Sequence, residues 1–286
     1  MSGIAIGLVL TSAVLHAFWN YLAKQASGGM PFVWLFGACS LTIYAPVVLF
    51  FIVVDPPQIS VTGFAVIFGS AVLHLIYFLL LNWSYQIGDL SLVYPIARGT
   101  GPTLSTLVAI VIYSERPTLL AIGGAFLIAL GIFGLAGDPR ALRREGATRA
   151  VAYAGMTGVS IATYTLWDKY AVSDLMIMPL ILVWLSQLFR LFMLSPFALR
   201  RWHDVREEWQ KNARYVVGVA ALSPLTYLLI LIALVSNPVS YVAPMRESST
   251  LIGTLLGTHL LMEGHKLRRT LAAAAMMAGV AALSLG

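Results

Sequence analysis

The chain has 286 residues, of which 59% are hydrophobic and only 10% charged, with a mean hydropathy of +0.85; soluble domains are about a quarter charged. This composition excludes a soluble globular protein and predicts an all-α polytopic membrane protein. The net charge of +6 does not point to nucleic acid, because the basic residues lie between apolar spans, where they set membrane orientation.

A hydrocarbon core about 30 Å thick needs roughly 20 apolar residues per helix. With Gly, Pro and charge as punctuation, the chain divides into ten predicted spans: 3–25, 31–54, 60–86, 89–113, 118–136, 149–171, 177–199, 214–236, 239–262 and 267–285. The first is expected to remain in the mature protein, since Met1 to Gly3 carries no Lys or Arg and no A-x-A site ends the run. Asp55-Pro56-Pro57, Ile87-Gly88-Asp89 and Ser236-Asn237-Pro238 read as turns. Two connections are long, 137–148 and about 200–213. The second has Trp202 and Trp209 among charges and is predicted to lie at the interface as a helix. The spans are continuous and do not alternate, which excludes a β-barrel.

Cys39 is the single cysteine, so neither an intrachain disulfide nor a cysteine-cluster metal site is possible. The chain has no H-E-x-x-H, no phosphate-cradling Walker loop and no G-x-S-x-G. An enzyme is not expected, nor is a cofactor or a metal.

The odd-to-even connections hold Lys24, Arg140, Arg143, Arg144, Arg149, Arg200, Arg201, Arg206, Lys211, Arg214, Lys266, Arg268 and Arg269, against only Arg116 and Lys169 on the other side. The rich side is expected to be cytoplasmic, which leaves both termini extracytoplasmic in a cell inner (plasma) membrane.

The chain also repeats itself. At an offset of 145, Ala17, Trp19, Asn20, Lys24 and Ala26 meet Ala162, Tyr164, Thr165, Lys169 and Ala171. At 149, Gly69, Phe78, Ser91 and Pro95 meet Gly218, Tyr227, Ser240 and Pro244; at 148, Arg98, Glu115 and Gly131 meet Arg246, Glu263 and Gly279. Spans one to five therefore match spans six to ten. An odd number of spans per unit makes the two units cross in opposite directions, the inverted-topology repeat of transporters. The expected organisation is a first five-helix repeat at 1–136, a linker at 137–148 and a second repeat at 149–286.

Tyr94-Pro95-Ile96, then Ser114-Glu115-Arg116 and a Gly-rich span with Gly123, Gly124 and Gly131, recur as Ala243-Pro244-Met245, Met262-Glu263-Gly264 and Gly279. This pattern resembles the drug/metabolite transporter superfamily of the EamA type, over essentially the whole chain. Within it, LHAFWNYLAK (15–24) and VYPIARGTGP (93–102) look similar to bacterial exporters of aromatic amino acids. The resemblance implies ten helices around a central cavity, with spans five and ten packed peripherally.

Such a cavity is lined by spans one, three, four, six, eight and nine. In span one, His16, Trp19 and Asn20 share a face at helical spacing. Lys24 lies a turn further on, where a long side chain snorkels to the headgroups; its copy Lys169 is expected to anchor likewise. Span six answers with Tyr164, Thr165 and Asp168. Span three offers His74 and Tyr77 with Phe78 beside them, and span eight Ser223, Thr226 and Tyr227. Span four contributes Tyr94 and Arg98, and span nine Tyr241, Arg246 and Glu247. Pro95 and Pro244 each free a backbone carbonyl and are candidate hinges.

Charge inside a bilayer costs at least about 2.5–3.5 kcal/mol and marks function or pairing. Arg98 is expected to face the cavity, no acidic neighbour following from sequence. Arg246 and Glu247 either do the same or form an Arg–Glu pair holding spans four and nine together. For His16 and His74 the competing role is a hydrogen bond to a neighbouring helix. Glu115 and Glu263 precede new helices and read as caps. Asp168 lies near a span end and no carboxylate pair is evident, so the expected mechanism is uniport-like export of aromatic amino acids and related amphipathic metabolites. The remaining readings are transport of other small metabolites or drugs, proton-coupled antiport and a non-transporting scaffold. The expected partners are that small-molecule substrate and the bilayer, in a monomer.

Overall fold

The computed structural model describes residues 1–26, 29–87, 90–135, 147–252 and 266–286, and among these it contains helices and no strand. The helices are α1 (Gly3–Ala26), α2 (Met30–Val54), α3 (Val61–Ile87), α4 (Leu90–Ile112), α5 (Leu119–Leu135), α6 (Ala147–Ser173), α7 (Pro179–Arg200), α8 (Trp202–Ser236), α9 (Val239–Arg246) and α10 (Lys266–Leu285). The predicted turn at Gly88-Asp89, most of the 137–148 linker and Glu263 lie outside the described residues.

Six of these helices are long and apolar enough to cross a membrane, within α1, α2, α3, α4, α7 and α8; α5 and α10 contain shorter apolar stretches. The polarity is inverted relative to a soluble protein. Phe50, Val53, Val111, Leu119, Phe126 and Phe192 are exposed, whereas Arg98, Asp168 and Glu247 are buried. Apolar surface outside and polar groups inside are what a lipid solvent selects. The chain is a multi-pass membrane protein.

Two elements differ from expectation. The interfacial segment is helical but continuous with α8, joined through Asn212, whose φ of −126° and ψ of 15° kink the helix. The kink holds because Asn212 donates to the Ala26 carbonyl at 3.1 Å and to Glu208 at 2.8 Å, closing the end of α1. The ninth span was expected to run unbroken over 239–262. Instead α9 stops at Arg246, Glu247 forms a turn, and helix resumes at 248–252. The break directly follows Pro244, which cannot donate to the helix ladder. By contrast, α4 runs through Pro95 and Pro102 without interruption, so the unwinding expected at Pro95 is absent.

Glycines on facing sides bring α5 and α10 into contact. A Cβ on Gly124 would lie 2.7 Å from the Gly279 carbonyl oxygen, and one on Gly279 would lie 2.6 Å from that of Gly124. Only hydrogen at both positions allows this approach.

The two ends of the bundle are built differently. The main apolar core, including Val9, Ile67, Ala109, Val172, Leu182, Leu231 and Val239, fills the end where α1 and α3 begin and α4 and α8 finish. Polar caps seal it. Glu115 accepts from the backbone amides of Val239 and Ser240 at 2.7 and 2.8 Å, capping α9. Lys169 donates to the carbonyls of Leu234 at 2.6 Å and Asn237 at 3.2 Å, closing α8. Lys169 is thus a helix–helix clamp rather than the expected headgroup anchor. Tyr113 adds a hydrogen bond to the Leu166 carbonyl at 2.9 Å. The opposite end holds a smaller apolar cluster that includes Phe32, Leu35, Val205 and Val216, and beside it a cavity.

Candidate functional site

The cavity has a volume of about 420 Å³ and reaches from Ser12 and Ile230, deep in the bundle, to Ala23, Phe32 and Tyr85 at the end carrying the α1–α2 and α3–α4 connections. Its wall includes His16, Trp19 and Asn20 from α1, and His74, Tyr77 and Phe78 from α3. It also takes Tyr94 and Arg98 from α4, Tyr164 from α6, Thr226 and Tyr227 from α8, and Arg246 from α9. Helical spacing puts each set on one face, and the packing of the helices turns these faces toward the cavity.

Aromatic rings dominate the middle. His74 stacks on Tyr164 with ring centres 4.2 Å apart, and Tyr77 meets the same tyrosine edge-on at 5.5 Å. His16 and Trp19 form an edge contact at 4.9 Å. The Trp19 indole N–H is buried without a hydrogen-bond partner, whereas Asn20 bonds back to the His16 carbonyl at 2.8 Å. Thr226 is likewise occupied by its own helix, donating to the Leu222 and Ser223 carbonyls.

The charged groups depart from expectation. Arg98 has an acidic partner after all: its Nε lies 3.0 Å from Glu247 Oε2. Tyr94 contacts Thr250 at 3.3 Å, Thr250 contacts Glu247 at 3.2 Å, and Arg98 donates to Ser249 at 3.3 Å, so this pair belongs to an α4–α9 seam. Glu247 therefore does not line the cavity, and its partner is Arg98 instead of Arg246. Tyr241 is also displaced. Its hydroxyl accepts from the Thr118 amide at 3.2 Å and meets the Gly286 carbonyl at 3.4 Å, where α5 begins and α10 ends. Arg246 does enter the cavity, donating to Tyr164 at 3.5 Å with its guanidinium 5.6 Å from the Tyr227 ring centre.

Sequence reasoning missed two contributing helices. From α2 come Phe32, Val33 and Phe36; from α7 come Val183, Gln187, Arg190 and Leu194. The signal was present in α7, where Gln187 and Arg190 stand one turn apart inside the run PLILVWLSQLFRLFML. Asp168 was discounted as lying near a helix end. It is 0% exposed, and Tyr227 donates to its Oδ2 at 2.5 Å. The case against a coupling carboxylate loses its premise there. The site combines an aromatic sleeve, the guanidiniums of Arg190 and Arg246 without ion-pair partners among the described residues, and a buried Asp168 behind the wall. Such a site suits an amphipathic molecule with an anionic group.

Comparison with known proteins agrees with this architecture. The sequence matches the EamA-like transporter family over residues 3–137 and 148–285. A solved structure titled only "Crystal structure of protein" is similar over 98% of each chain, with a TM-score of 0.71 and 15% identity, a likeness of fold alone. No curated protein matches.

Proposed function

This chain belongs to the EamA-like transporter family, and on that premise we propose that it exports aromatic amino acids and related amphipathic metabolites by alternating access. Membership makes it a membrane transporter of small molecules. The finer reading rests on one observation: Arg190 and Arg246 present guanidiniums in a cavity walled by Trp19, Tyr77, Phe78, Tyr164 and Tyr227. Arginine binds a carboxylate through charge-assisted hydrogen bonds, and the rings enclose an aromatic side chain.

Ten spans in a five-plus-five inverted repeat are part of this proposal, supported by the two separate stretches of the family match. The charge asymmetry supports termini on the outside and a cavity mouth at the cytoplasmic face, in the inner membrane. The molecule then rests loaded from the inside, with the capped core sealing the exterior. We propose the monomer as the working unit, because the glycine faces of α5 and α10 are satisfied by each other.

A second reading is an amphipathic acid without an amino group. Arg190 favours it, since it adds positive charge that sequence reasoning had not placed in the cavity. A proteoliposome panel tests both. Flux of L-tryptophan, L-phenylalanine and L-tyrosine above that of their deaminated acids and decarboxylated amines supports the amino-acid reading. Faster flux of the deaminated acids supports the second. Equal flux of the amines, or none of any compound, overturns the proposal.

A further inference from the structure

Apart from Asp89 at the first position of the fourth, two acidic residues stand within the predicted spans, Asp168 and Glu247. Glu247 is neutralised by Arg98. Asp168 forms no ion pair with Lys or Arg among the described residues, although it is 0% exposed. The groups around it come from four packed helices: Ser70 and His74 of α3, Arg190 of α7, Tyr227 of α8 and Arg246 of α9. Oδ2 accepts the Tyr227 hydroxyl at 2.5 Å and faces His74 Nε2 at 3.9 Å. Ser70 stands beside the carboxylate, yet Oδ1 makes no hydrogen bond among the described residues.

The histidine tautomer is set by its other contact. Nδ1 lies 2.9 Å from the Ser70 backbone carbonyl, which can only accept, so Nδ1 carries the proton of the neutral ring. The bare Nε2 then points toward Asp168 Oδ2. Two acceptors face each other with no proton between them, inside a membrane protein where an uncompensated carboxylate is costly. A proton on either group removes the mismatch, so the two titrate as one unit.

We propose that the His74–Asp168 pair is a proton-binding site and that proton and substrate ammonium occupy the transporter in alternation, which makes transport a proton antiport. Tyr227 connects the pair to the cavity, since it lines the wall and hydrogen-bonds to Asp168. While Asp168 is ionised, Tyr227 donates to it and turns its lone pairs to the cavity, where they accept from an ammonium. A proton arriving on Asp168 makes the carboxyl O–H the donor to Tyr227. The tyrosine hydrogen then turns into the cavity, and the ammonium meets a donor in place of an acceptor. The same proton adds a positive charge beside Arg190 and Arg246. Proton uptake releases the substrate, and substrate binding returns the proton to cavity water.

This inference rests on the amino-acid reading of the cavity, and its test separates the two. Purified protein in weakly buffered detergent is titrated with L-tryptophan while binding and proton release are measured together. The wild type should release about one proton per bound tryptophan where the pair is protonated. The ratio should fall to near zero in Asp168→Asn and be reduced in Tyr227→Phe. Tryptophan binding without proton release in the wild type, or release by Asp168→Asn equal to wild type, overturns the proposal. Asp168→Glu keeps a titratable group should the asparagine variant fail to fold, and it should retain release with a shifted pH midpoint; loss of release there overturns the proposal. If tryptophan does not bind, the amino-acid reading fails alone. Infrared pH titration then decides: a carboxylic C=O band that titrates in the wild type and moves in Asp168→Glu supports the proton site, and its absence overturns it.

Discussion

Arg98 and Glu247 form an ion pair at 3.0 Å between α4 and the turn that ends α9, with only 6% and 1% of their surfaces exposed. The pair joins the two helices three residues after a proline in each, Pro95 and Pro244. Removing one partner leaves a buried charge unpaired and is expected to cost about 3–5 kcal/mol, while removing both costs less. Thermal unfolding in detergent should therefore rank Glu247→Ala below the double variant Arg98→Met/Glu247→Leu. A double variant less stable than either single change contradicts a pairing role.

Arg190 and Arg246 should behave differently, because neither is neutralised by an ion pair among the described residues. Each alanine substitution is expected to weaken tryptophan transport ~10–100-fold in KM, the worth of about 1.5–3 kcal/mol for a hydrogen bond to a charged group. Lysine at either position should recover part of it. Proteoliposome flux at matched protein content reads this directly, with melting temperatures close to wild type separating binding from folding.

The sealed end depends on side chains capping helices far away in the chain. Glu115→Ala removes the carboxylate that accepts from Val239 and Ser240. Loss of such a cap costs about 0.5–2 kcal/mol, a factor of roughly 2–30 in the opening equilibrium. Amide hydrogen exchange at Val239 and Ser240 should accelerate by that factor, with Glu115→Gln intermediate. Unchanged exchange at both amides would show that the cap does not hold this end shut.

The α5–α10 contact gives a test with an internal control. Gly279→Ala places a methyl group against the Gly124 carbonyl and should destabilise by about 1–3 kcal/mol through overpacking. Gly123→Ala, one position from Gly124, has nothing within 4 Å of the added carbon and should change stability by less than about 0.5 kcal/mol. Melting temperatures of the two variants should separate clearly, and substrate selectivity should be the same in both.

The sequence by itself determined the helical membrane class, most helix boundaries to within a few residues and the polar–aromatic face of His16, Trp19 and Asn20. These were legible because lipid is a uniform solvent, so its demands are written along the chain as apolar length and punctuation. The cap role of Glu115 was legible too, from its place between helices, although not its target. Only the tertiary structure decided that Arg98 answers Glu247, that Tyr241 turns away from the cavity, that α7 supplies Arg190, and that Asp168 is sealed behind Tyr227 and His74. Each depends on which helices stand face to face, and the partners are far apart in the chain: 156 positions separate Tyr94 from Thr250, and 59 separate Asp168 from Tyr227. Pairing across such distances is set by the packing of the two repeats, for which one-dimensional hydrophobicity carries no term.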